Sequence, residues 1–399
     1  MLSLLIIIYL AFISLGLPDS LLGSAWPVMR VDLGADFTVA GYIIMVVQAC
    51  TIVSSLLSNR LLLRYGTGRI TLVSVAMTAL ALFGYSVAPS VGWLFVCAVP
   101  LGFGGGNVDA ALNHFVAQHY AARHMSWLHC FWGVGATTGP AIMALTLAQG
   151  AGWRAGYTTI AIIQAALVLV LLLSLPLWKR AAPAPTPTQA ASATASPPIR
   201  GNREALRVPL VKLALVSFVF FCATETTAGL WTSSYMVATH GVSGAEAARA
   251  VSFFYGAITM GRFLSGFLAM KLASHVLIRA GQLTCVLGAG LLMLPLPAAA
   301  GLTGIVLVGL GTSPIFPSML HETPRRFGAA AAQAVMGLQM AFAYVGSTCF
   351  PPLFGALASR VGLGLFPYYL LLCSLAMLAA SELLQRKIAA REARTAART

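Results

Sequence analysis

The sequence predicts an all-α membrane protein, with twelve transmembrane helices in two pseudo-symmetric bundles of six. Three observations carry this. Of 399 residues, 59% are hydrophobic and only 9% charged, against roughly 25% charged in a typical soluble domain. Apolar runs of about 20 residues, the length that crosses a bilayer, recur from one end of the chain to the other. The basic residues sit in short clusters between those runs, which is how membrane topology is encoded.

The expected spans, in order, are 2–28, 38–63, 69–88, 92–120, 125–149 and 155–178, then 209–238, 247–272, 276–297, 301–322, 329–357 and 366–387. Several exceed the length needed to cross, so tilts or kinks are expected. Between the sixth and seventh spans the chain reads AAPAPTPTQAASATASPP. That composition lacks the apolar bulk for a packed core and reads as a flexible, partly extended linker. The expected organisation is an N-terminal six-helix bundle (1–180), a linker (181–208), a C-terminal six-helix bundle (209–388) and a basic tail (389–399).

Charge fixes the orientation. Connections from odd to even spans hold Arg30, Arg154, Arg249 and Arg360, while the other 20 of 24 Lys and Arg lie in or beside the even-to-odd connections and the tail. This asymmetry predicts a bacterial-type cytoplasmic (inner) membrane protein with both termini and the linker in the cytoplasm. The net charge of +14 is spread through these clusters rather than gathered in one domain with interleaved aromatics, so nucleic acid is not an expected partner.

Seven cysteines stand singly inside apolar segments, with neither a disulfide framework nor a metal-ligand spacing. The first segment carries Asp19 and no basic n-region, which argues against a cleaved signal peptide. There is no G-x4-G-K-[ST], H-E-x-x-H or G-x-S-x-G. No enzyme activity, ATP motor, cofactor or metal is expected.

The chemistry should lie with polar groups inside spans. Three of ten acids, Asp19, Asp109 and Glu225, fall well inside spans, while Glu322 and Glu382 sit toward helix ends. A carboxylate at the bilayer centre costs about 2.5–3.5 kcal/mol even on lenient scales. Burial disfavours the ionised form, so such an acid can hold a proton in one conformation and release it when water arrives. The alternative is an acid that only fixes helix contacts. Asp19 follows Pro18, whose missing N–H kinks the helix. Asp109 follows Gly104-Gly105-Gly106-Asn107-Val108, and Asn113, four residues on, shares its face. His129 lies mid-span, and an unperturbed imidazole titrates near neutrality. Trp132 and Trp231 offer aromatic faces, and Asn107, Asn113, Gln48 and Gln339 offer amides, which together suit a sugar-like solute. Each amide serves equally well as polar glue between helices.

Two six-helix repeats joined by a cytoplasmic linker resemble the major facilitator superfamily. The connection Asn59-Arg60-Leu61-Leu62-Leu63-Arg64-Tyr65-Gly66 resembles that family's signature loop, with Asn59 where an Asp is common. Within it, Pro18-Asp19-Ser20-Leu21-Leu22-Gly23 and Asp109-Ala110-Ala111-Leu112-Asn113-His114-Phe115-Val116 resemble segments of the fucose–proton symporter family, and Gly133-Val134-Gly135-Ala136 also fits. The resemblance implies the major facilitator fold, Asp109 as the main proton carrier, Asp19 as an acid important for transport, and Glu225 as a recurrent acid. Where that family often has a sugar-binding glutamine this chain has His129, and where an asparagine is common it has Trp132.

The expected function is secondary active transport: proton-coupled symport of a monosaccharide or similar small polar solute by alternating access, working as a monomer in the lipid bilayer. Proton coupling falls to Asp109, Asp19, Glu225 and His129; solute binding to Asp19, Asn113, Asn107, His129, Trp132, Glu225, Trp231, Gln48 and Gln339. Sodium stays open as the coupling ion. Proton-driven export of amphipathic compounds is the alternative, and a non-transporting sensor a third.

Overall fold

A computed structural model describes residues 2–120, 122–181 and 202–396. Twelve helical stretches are long and apolar enough to cross a membrane. The first span is two helices, α1 (Leu2–Asp19) and α2 (Leu21–Asp32). It continues through α3 (Val39–Tyr65), α4 (Thr67–Ser86), α5 (Val91–His119), α6 (Ala122–Ala148) and α7 (Gly152–Ala181). The second half has a short α8 (Asn202–Arg207), then α9 (Val211–His240), α10 (Gly244–Leu268) and α11 (Ser274–Leu292). Its tenth span is again split, into α12 (Ala298–Thr312) and α13 (Ile315–Phe327), before α14 (Ala329–Val361) and α15 (Phe366–Ala396).

Both breaks have a local cause. Pro18 sits in the last turn of α1 and Pro314 between α12 and α13. Neither can donate a backbone hydrogen bond. At the first break the Ser14 carbonyl, which Pro18 leaves without its helical donor, accepts from Gln164 Nε2 of α7 at 2.7 Å.

Two sequence expectations change. Most of the Pro/Ala-rich linker lies outside the described residues, but 202–207, assigned to it, form α8. Ala205 is fully buried there in an apolar cluster with Val211 and Val335. The segment 389–396, expected as a tail, continues α15, because Ala, Arg and Glu are good helix formers.

The halves echo each other in a polar triad linking the first, third and sixth spans of each. In the first half, Thr78 on α4 donates to Gln164 Oε1 on α7 at 2.7 Å, and Gln164 Nε2 donates to the Ser14 carbonyl on α1 at 2.7 Å. In the second, Gln282 on α11 donates to Ser381 Oγ on α15 at 2.8 Å, and Ser217 on α9 lies 2.8 Å from the same oxygen. All these groups are buried, where such bonds stabilise helix pairs by about 0.6 kcal/mol each.

The halves meet unevenly. At the end opposite the basic loops one apolar cluster joins both, including Leu22 and Trp26 with Trp231 and Phe354. Ser233 on α9 donates to the Ser24 carbonyl on α2 at 3.2 Å, and Ser252 on α10 to the Thr137 carbonyl on α6 at 2.8 Å. Toward the basic loops the clusters stay within one half: Phe12, Phe115 and Trp178 in the first, Phe218, Met319 and Met377 in the second.

Candidate functional site

A cavity of about 380 Å³ lies between the halves, walled by α1, α3, α4, α5, α6 and α7 on one side and by α9, α10 and α13 on the other. Six sequence candidates line it: Asp19, Gln48, Asp109, His129, Trp132 and Glu225.

Packing sets the geometry. Gly16 on α1 abuts the Trp132 carbonyl and Gly135 on α6 abuts the Ile13 carbonyl, each closer than a Cβ would permit. Small residues let two helices in lipid approach backbone to backbone, and this approach brings Trp132 beside Asp19. The indole Nε1 donates to Asp19 Oδ2 at 2.8 Å. Asp19 is enclosed among helices, yet its carboxylate is exposed to the cavity. Asp109 accepts a hydrogen bond from Asn113 Nδ2 at 2.9 Å, the one-turn spacing expected. Asn113 also donates to the Asp109 carbonyl, so it holds Asp109 in place rather than facing the cavity. His129 meets the edge of Phe12, with ring centroids 6.0 Å apart.

Besides Asn113, three expected solute ligands lie elsewhere. Trp231 is fully buried, donates to the Pro351 carbonyl at 2.9 Å and packs on Phe37 with centroids 4.3 Å apart. Its bulk seals the end opposite the basic loops. Gln339 is buried and accepts from Thr323 at 2.9 Å, tying α13 to α14. Asn107 does not line the cavity, and its Oδ1 is buried without a hydrogen-bond partner. Periodicity places a polar residue inside a span but does not say which neighbour its face meets.

The sequence reading missed Arg262. It counted this residue with the basic loops, but Arg262 lies six residues before the end of α10, roughly 9 Å at 1.5 Å per residue, and it lines the cavity. Its guanidinium stands 3.5 Å from Glu225 Oε2 and 5.0 Å over the Trp132 ring. The missed signal was depth, the same criterion that singled out the acids. Tyr157 and Tyr255 also line the cavity, as does Thr51. A series of contacts thus crosses between the halves, from Asp19 to Trp132 to Arg262 to Glu225.

The remaining charges stabilise the two ends. Away from the basic loops, Asp32 accepts from Arg154 and from Trp153 Nε1, and Arg154 reaches the Ala88 carbonyl at 3.0 Å. At the basic end, Glu322 pairs with Arg325 and Arg326 as their spacing predicts, and Arg279 forms a two-pronged pair with Glu382.

A charged cavity between two six-span bundles, sealed to each other at one end, defines a secondary transporter. The Major Facilitator Superfamily model matches residues 8–351, and the chain belongs to that superfamily. Among curated proteins, none matches the chain.

Proposed function

We propose that the protein is a proton-coupled symporter that imports a monosaccharide-like polar solute by alternating access. The observation that carries the reading is that three membrane-embedded acids, Asp19, Asp109 and Glu225, share one cavity between the halves. Acids so placed are costly, and their use is to take up and release a cation. Resemblance of the runs around Asp19 and Asp109 to the fucose–proton symporters supports both the proton and the sugar.

With the basic loops in the cytoplasm, the halves are closed on the outer side and separate toward the inside. The cycle then runs as follows. Asp109 takes a proton from outside, solute binds between the halves, the halves rock to the present arrangement, and the proton leaves to the cytoplasm. Asn113 keeps the Asp109 carboxyl aimed throughout. Asp19 and Glu225 orient solute from opposite walls, with Gln48 and His129 as further polar contacts. Sodium is the competing coupling ion, since carboxylates ligate it too.

One observation favours the second reading, proton-driven export of amphipathic compounds: among the described residues Gln48 is the sole amide on a wall that includes Phe12, Leu22, Phe221 and Phe316. Flux in proteoliposomes under a proton gradient of either sign separates import from export. Asp109→Asn should keep solute exchange and lose uphill accumulation. Uphill accumulation by that variant would remove Asp109 from the coupling role.

A further inference from the structure

Arg262 is a cation that transport of a neutral sugar does not require. It sits in the cavity wall at 3.5 Å from Glu225 Oε2, yet that oxygen is buried without a hydrogen-bond partner. The contact is an ion pair without a hydrogen bond. Among the described residues the guanidinium donates no hydrogen bond, so N–H groups of its planar fork stay available at the cavity it lines. The Trp132 ring, 5.0 Å away, holds it by cation–π attraction. A buried oxygen left without a partner, as Glu225 Oε2 is, is rare, and Glu225 and Arg262 both line the cavity.

We propose that the solute is a sugar acid, a polyol bearing one carboxylate, which docks on Arg262. This rests on the import reading above. A carboxylate matches the guanidinium fork in two parallel hydrogen bonds. The charge of the wall selects a monoanion: one arginine stands among Asp19, Asp109 and Glu225, so a dianion such as a sugar phosphate meets repulsion that a single cation does not offset.

The test is counterflow in proteoliposomes of the full-length protein, with radiolabelled D-galacturonate and D-galactose as probes. Wild type should exchange galacturonate at lower concentration than galactose. Arg262→Gln should weaken galacturonate affinity by about 10- to 100-fold, the range for losing a charged hydrogen-bonded contact, and Arg262→Lys should fall between. The wild-type comparison does not depend on any variant folding. Preference for galactose, or galacturonate affinity within twofold of wild type in a folded Arg262→Gln protein, overturns the inference. In that case proton-driven galactose uptake leaves the import reading standing. Counterflow of neither probe overturns the inference, and if an imposed proton gradient also drives no uptake of either, the import reading falls with it.

Discussion

Gly23→Ala should loosen the seal between the halves. Gly23 on α2 faces the backbone of α9. A Cβ there would lie 2.5 Å from the Gly229 carbonyl oxygen and 2.9 Å from both the Cα and the carbonyl oxygen of Leu230. Non-bonded carbons settle at about 3.5–4.0 Å, and every opposing atom belongs to backbone, so no side chain can swing aside. The two helices must separate by about 1 Å. Overpacking of this kind costs about 1–3 kcal/mol, and here the cost falls only on conformations in which α2 and α9 touch. That changes the ratio of sealed to unsealed molecules by about 5- to 150-fold. Spin labels at Val31 and Leu294, both exposed and on opposite halves at the sealed end, read the change as a growing long-distance component in a cysteine-free background. Gly290→Ala is the control, since nothing lies within 4 Å of the added carbon. An unchanged distance distribution in Gly23→Ala, with wild-type melting behaviour, would refute the reasoning.

Asp36 accepts from the Thr38 hydroxyl at 2.7 Å and the Thr38 N–H at 2.9 Å, which hold its carboxyl below the usual range. A depressed value contributes stability above the unfolded pKa of about 3.9 and loses it as pH falls through the folded one. Asp36→Ala should therefore melt below wild type at pH 7, with the gap closing in stronger acid. Gln164→Leu removes the centre of the first-half triad and should cost about 0.6–1.7 kcal/mol, read as a lowered melting temperature in detergent. Trp231→Phe loses the hydrogen bond to the Pro351 carbonyl and should cost about 0.5–1.5 kcal/mol while solute affinity stays as in wild type. An affinity loss beyond about threefold would return Trp231 to the solute site.

The fold was legible because lipid imposes its rule on every span. Length and apolarity mark a crossing segment whatever its neighbours, and the kink in the first span was legible at Pro18, whereas the break at Pro314 was not read, since prolines such as Pro100 and Pro140 sit inside unbroken helices. The acids were legible for the related reason that charge in such a segment needs an explanation. What could not be read was direction around each helix axis. Trp132 and Trp231 are alike in sequence context, but the approach of Gly16 and Gly135 turns one into the cavity while Phe37 and Phe354 enclose the other. Asn107 and Asn113 sit in one glycine-rich run, yet Asn113 alone lies a full turn from Asp109. Arg262 was misread because counting basic residues by loop treats every arginine near a span end as a topology signal, and this one is deep enough to act as a ligand.

Its position gives Arg262 a part in the conformational cycle as well. Near the cavity, α6 and α10 meet through Gly133 against Thr259 and the Thr137 and Thr259 hydroxyls at 3.4 Å. Trp132 immediately precedes Gly133, and Arg262 lies three residues beyond Thr259, so their stacking falls where the seal ends and the cavity begins. Trp132 is fixed to the first half by its hydrogen bond to Asp19, and Arg262 to the second by its ion pair with Glu225. When two packed bodies rock about a seam, separations change least at the pivot and grow with distance from it. A contact at the edge of the seam can survive small motions and must break in large ones. A solute group that binds Arg262 there acts on the one charged link between the halves that this seam carries among the described residues.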